Sequence, residues 1–109
     1  MLKTLLNKSI DSATQAISTY NDPRSSFRTG NFTVLMIIAW TAITHAYFER
    51  EKINYFYREK NGRYKKIDGD KKAWELSKSV TKIFDETDPI RRNIELFIKL
   101  RNKIEHRNL

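Results

Sequence analysis

Apolar residues recur through the first twenty positions at Leu2, Leu5, Leu6, Ile10, Ala13, Ala16, Ile17 and Tyr20, with polar residues between them. This is the period of a helix with one buried stripe, and it predicts helix one over Leu2–Tyr20. Asn21-Asp22-Pro23 ends it, because proline disfavours helical geometry in the residue before it, and Arg24–Gly30 reads as a loop. Thr29 or Asn31 is the expected cap of helix two, which runs to about Arg50. Its first part, Phe32 to Trp40, is apolar on almost every side, as suits the central helix of a bundle or a self-associating surface. From Ile53 to Ile67 the pattern changes to aromatic and β-branched residues on either side of Asn61-Gly62, the pattern of a β-hairpin inserted between helices. Asp68 or Asp70 then caps helix three, Lys71–Phe84, whose stripe is Ala73, Leu76, Val80, Ile83 and Phe84. After the loop Asp85-Glu86-Thr87, Asp88-Pro89 is a strong start signal: a capping carboxylate, then proline where its missing N–H is harmless. Helix four carries Ile90, Ile94, Phe97, Ile98 and Ile104. The expected fold class is mainly all-α, a four-helix bundle with a small β-hairpin between helices two and three, in a single domain spanning 1–109.

Charge adds a partner to this outline. The 109 residues hold 21 Lys and Arg against 13 Asp and Glu, a net charge of +8 that favours a polyanion, nucleic acid first among them. Cysteine is absent, which excludes disulfides, thiolate metal sites and zinc fingers and makes a reducing cytoplasm the natural compartment. The apolar run Phe32–Ile43 is too short to cross a bilayer, and the N-terminus lacks a signal core, so no membrane association is expected. Neither a metal nor a cofactor is expected. Asp85, Glu86 and Asp88 read as helix-start carboxylates, and His45, without a carboxylate at ligand spacing, reads as structural. Trp40 and Trp74 are assigned to the core. Tyr55, Phe56, Tyr57 and Tyr64, interleaved with Arg58, Lys60, Arg63, Lys65 and Lys66, fit either a stacking platform for single-stranded RNA or cross-strand packing with a solvated basic edge.

The chemistry concentrates in Arg101-Asn102-Lys103-Ile104-Glu105-His106-Arg107. Arg101 follows Phe97 by four positions and precedes Ile104 by three, which puts its stem on the core-facing stripe, where a guanidinium needs a partner. Glu105 is the local candidate, in an intrahelical pair worth only about 0.3–0.5 kcal/mol. His106 supplies a group that titrates near neutrality. On a continuous helix five positions turn it roughly 140° away from Arg101, so one phosphate is gripped by both only if the helix breaks or a second copy completes the site. Asn102 shares the face of His106. Together a fixed cation and an imidazole are what metal-free RNA cleavage needs; the plainer role for the pair is a charged C-terminal turn favoured by the helix dipole.

The step Arg101, Asn102, three residues, His106 near the end of the last helix of a small basic helical domain resembles the signature of the HEPN superfamily. The Asp88-Pro89 start, the Ala39-Trp40 pair and the Arg28-bearing loop are similar to an uncharacterised bacterial branch of it. The resemblance implies a metal-independent endoribonuclease of toxin or antiphage-defence type, a homodimer whose two motifs line one cleft, held in check by an antitoxin or other regulatory partner. It assigns Arg101, His106 and Asn102 to catalysis, with Lys99, Lys103, Arg107 and Arg28 as the surrounding RNA contacts. The alternative within the same fold is a non-catalytic RNA-binding or dimerisation module of a larger defence protein. Two features depart from the pattern: Asn108 stands where some toxins of the superfamily carry a tyrosine that a partner modifies, and the chain stops at Leu109, as a fragment of a longer protein would.

Overall fold

Helix α2, Arg28–Arg50, is the axis around which the other elements of the computed structural model are arranged. The structure describes residues 1–24 and 26–107. Helix α1, Leu2–Asn21, packs on α2. A β insertion, with strands β1 (Lys66–Ile67) and β2 (Asp70–Lys71), leads to helix α3, Leu76–Ile83, and helix α4, Pro89–Arg107, closes the bundle against α2 and α3. The fold is therefore mainly helical with a small antiparallel sheet between helices two and three, as the patterning requires.

By length and composition α2 is the only helix among the described residues apolar enough to cross a membrane, because Thr44 to Phe48 extend the apolar run that begins at Phe32. Eight of its 23 residues are buried, and three helices lie on it. Ile37, Leu76, Val80 and Ile94 form the centre of the core, flanked by Trp40, Phe84, Phe97 and Ile98. The buried hydroxyls of Thr33, Thr44 and Ser79 donate to backbone carbonyls within one helical turn, so the core holds them without unmet donors. A second apolar cluster joins the β insertion to the end of α2, where Phe48 meets Tyr55 and, edge-on, Trp74.

Several elements depart from the sequence pattern for physical reasons. Helix α2 begins at Arg28 rather than after a Thr29 or Asn31 cap, and Phe27 precedes it without any side-chain cap. The Phe27 ring lies where a side chain on Gly30 would project, so the absence of a Cβ there admits this start. On α1 only Ala16 is fully buried, while Ile10 and Ile17 are more than half exposed, because α2 alone covers this helix. The regular hairpin is at Asp68-Gly69, not Asn61-Gly62. Asp68 (φ 51°) and Gly69 (φ 87°) both take left-handed conformations, the geometry of a type I′ turn. Asn61-Gly62 makes the other bend, closed by a single bridge between Arg58 and Tyr64. Asp68 and Asp70 are thus hairpin residues, and α3 starts late, after Glu75.

The three extended segments meet at one point. The Lys65 amide donates to the Tyr57 carbonyl, the Tyr57 amide to the Lys72 carbonyl, and the Lys72 amide to the Lys65 carbonyl, at 2.8–2.9 Å. The Trp74 amide donates to the Tyr55 carbonyl beside them. This closed knuckle sits at the C-terminal end of α2.

Candidate active site

Asp88 accepts the Ile90 amide at 2.8 Å, so the capping carboxylate starts α4 as the sequence requires. Along α4 the contacts step backward through α2: Ile94 lies with Ile37, Phe97 against Phe32 at 6.3 Å between ring centres, and Leu100 and Ile104 beside Phe27 and Gly30. The two helices are antiparallel, and this brings the C-terminal turns of α4 to the N-terminal end of α2. There Leu100 and Ile104 form one wall of an open hollow, and Ser26, Phe27, Arg28 and Thr29 the other. Arg28 and the end of α4, more than seventy residues apart in sequence, are neighbours. The Arg28 guanidinium donates to the Tyr20 carbonyl at 3.4 Å and is otherwise solvated.

Arg101 is half-buried, with its stem on the packed side of α4. Its Nε is fully buried and has no hydrogen-bond partner among the described residues, while Nη2 reaches Asn102 Oδ1 at 3.4 Å. The Glu105 pairing is not formed. A guanidinium N–H withdrawn from water without an acceptor is unfavourable by about 1–3 kcal/mol, which sets Arg101 apart from the other polar side chains of the described residues. Helix α4 is continuous through Arg107, so no break in the helix brings His106 to the Arg101 side within the chain. His106 is exposed and makes no side-chain hydrogen bond among the described residues. Lys99, Asn102 and Lys103 are exposed around it; the side chain of Arg107, together with Asn108 and Leu109, lies outside the described residues.

At the start of α4 another basic residue is structural. Arg91 donates from Nε to Glu95 at 3.3 Å and from Nη1 to the Phe84 carbonyl at 3.2 Å, which ties α4 to the end of α3. His45, at the other end of α2, is also structural: its Nε2–H donates to the Trp74 carbonyl at 2.8 Å and its ring stacks on Tyr55 at 4.6 Å. Burial holds this imidazole below its ordinary pKa, partly opposed by the carbonyl and assisted by Lys8. Among the described residues no group of three or more His, Cys, Asp or Glu could hold a metal ion.

The aromatic residues of the knuckle do not present bare ring faces. Arg58 lies over the Tyr64 ring at 4.4 Å and Lys71 over the same ring at 4.0 Å, with Phe56 edge-on at 6.2 Å. Tyr55 is buried and donates to Glu49 at 2.8 Å. Three lysines that the sequence pattern did not single out, Lys72, Lys78 and Lys82, lie over Tyr57 and Trp74. Their signal in the sequence was partial, since only Lys78 and Lys82 have helical spacing; Lys72 reaches them through the knuckle.

Residues 4–109 match the family described as a domain of unknown function, DUF3644. The chain belongs to this family. The DUF3644 match takes in both the knuckle and the Arg101/His106 end of α4, so the two surfaces belong to one family unit. No curated protein and no solved structure matches this DUF3644 chain.

Proposed function

We propose that the chain is a HEPN-type, metal-independent endoribonuclease of toxin or antiphage-defence kind, acting in the cytoplasm as a homodimer under the control of an antitoxin or other regulatory partner. The observation that carries the reading is the half-buried Arg101 with its unpartnered Nε, at the end of a helix that also bears His106 and is ringed by Lys99, Lys103 and Arg28. In the dimer, Arg101 of one copy and His106 of the other face the same phosphodiester, which resolves the divergence of roughly 140° that five helical positions impose. The RNA 2′-hydroxyl attacks the adjacent phosphorus as its proton passes to a base. The 5′-oxygen leaves with a proton, and the products are a 2′,3′-cyclic phosphate and a free 5′-hydroxyl. His106 carries one of these protons, Arg101 stabilises charge on the non-bridging oxygens, and Asn102 orients the guanidinium or a phosphate oxygen.

A second reading, a non-catalytic RNA-binding or dimerisation module of a larger defence protein, is favoured by one observation. His106 lacks, among the described residues, the hydrogen bond that usually fixes the tautomer of a working imidazole. Cleavage of a labelled tRNA pool by the wild-type chain and by His106→Ala, in EDTA, separates the two. The endoribonuclease predicts cyclic-phosphate ends from the wild type alone, with RNA affinity retained in the variant. Cleavage unchanged by His106→Ala, or lost in EDTA and restored by a divalent ion, overturns the mechanism. RNA binding without cleavage by either protein supports the second reading.

A further inference from the structure

The positive charge of this chain is concentrated away from Arg101 and His106. Between residues 52 and 82 there are ten Lys and Arg against four Asp and Glu, a net +6 of the whole chain's +8. Within this stretch Lys72, Lys78 and Lys82 interleave with two rings. The Lys72 ammonium lies 5.0 Å from the centre of Tyr57, that of Lys78 4.5 Å from Tyr57 and 5.1 Å from Trp74, and that of Lys82 5.8 Å from Trp74. Lys78 and Lys82 are one helical turn apart on α3, and Lys72 is positioned by the triangle of backbone hydrogen bonds in the knuckle. None of the three takes part in an ion pair among the described residues. The nearby Glu75 carboxylate accepts the Tyr57 hydroxyl at 2.7 Å and is held below its ordinary pKa by that bond first and also by the charges of Lys72 and Lys78, so it offsets part of the positive charge of the three lysines.

Three ammonium groups gathered on two rings repel one another, and the rings only partly offset that. Stacking also restricts each lysine before any ligand arrives, so less side-chain freedom remains to be lost on binding. Pre-positioned cations on neighbouring rings, two of them one helical turn apart, suit a polyanion that carries repeated charges. We propose that the Lys72–Lys78–Lys82 ladder on Tyr57 and Trp74 is a docking site for the phosphate backbone of single-stranded RNA. The ladder begins beside Trp74, which packs on Phe48 toward the C-terminal end of α2, and follows α3 toward the level of Ile37, whereas Arg28 and the end of α4 lie at the N-terminal end of α2. It shares with the proposed function the premise that the partner is RNA, but it does not depend on the chemistry of Arg101 or His106.

The test is fluorescence anisotropy of a labelled oligouridylate with the full chain across a salt series, comparing wild type, the triple variant Lys72→Gln, Lys78→Gln, Lys82→Gln, and the corresponding triple arginine variant. The expected result is a loss of at least about tenfold in affinity at low salt for the glutamine variant. The magnitude of its log–log salt slope should fall by about two, from about 0.7 per lost phosphate contact on a single strand, and arginine should restore both. Unlabelled inorganic polyphosphate is expected to compete and polyglutamate to compete poorly. An unchanged affinity and slope in the glutamine variant overturns the site, and equal competition by polyglutamate overturns the phosphate assignment in favour of an acidic protein. Because the readout needs no cleavage, a chain inert as a ribonuclease tests the ladder equally well.

Discussion

Arg101 and His45 show how differently two polar side chains on packed helix faces are treated. His45 has its acceptor, the Trp74 carbonyl, and its burial favours the neutral ring. The unfolded chain takes up that proton near pH 6.5 and the folded chain only at lower pH, so the stability is fully present above about 6.5 and is lost as pH falls through the folded value. Urea midpoints are therefore expected to drop between about pH 7.5 and pH 5, and His45→Gln is expected to flatten that dependence; an equally steep drop in the variant would assign it to other groups. Arg101, in contrast, has a buried donor with no acceptor among the described residues. Arg101→Met keeps an unbranched apolar stem and removes that donor. The variant is expected to be as stable as the wild type or more stable, by up to about 1 kcal/mol, while losing cleavage. Destabilisation of more than about 1 kcal/mol in urea titrations would instead make Arg101 a structural residue. The position of Arg101 on the packed side was legible from Phe97 and Ile104. That Glu105 would leave it unpaired was not, because the choice between a solvated and a paired carboxylate is decided by rotamers and neighbouring surfaces.

At the level of the elements, start and stop signals that act through the backbone were legible, and those that act through packing were not. Pro23 ends the first helical region and Asp88-Pro89 starts α4, each through local geometry. Replacing Asp88 by alanine removes the acceptor for the Ile90 amide and is expected to lower stability by about 1 kcal/mol in urea unfolding. The chain folds back at Asn61-Gly62, where the hairpin is expected, but only through a single bridge, and the two-stranded ladder lies at Asp68-Gly69. Both Asn61-Gly62 and Asp68-Gly69 suit tight turns, and the ladder forms at the second because closing the knuckle lets Tyr55 and Trp74 pack on Phe48. Gly69 carries φ 87° beside Asp68 at φ 51°. Gly69→Val is accordingly expected to be less stable by about 1–2 kcal/mol, with amide exchange accelerated first at Lys65 and Lys72. Exchange unchanged at those amides would mean that the turn does not hold the knuckle.

For the whole molecule, the proposed dimer makes a prediction that neither residue makes alone. If Arg101 of one copy works with His106 of the other, mixing inactive Arg101→Ala and inactive His106→Ala chains should restore about a quarter of wild-type cleavage, since half the dimers formed at random are mixed and each holds one complete site of two. No recovery, with subunit exchange verified by sedimentation, would place both groups in one chain or in no site. The sequence by itself determined the helical class, the central place of α2, the start of α4 and the basic character of its end, because periodicity, capping and charge are properties of short stretches. Only the tertiary structure decided which of two turns closes the hairpin, that Ile10 and Ile17 stay exposed, that Arg28 meets the end of α4, and that Lys72 joins Lys78 and Lys82 over Tyr57 and Trp74. These depend on which surfaces meet across long stretches of chain, and burial of apolar area fixes that for the molecule as a whole.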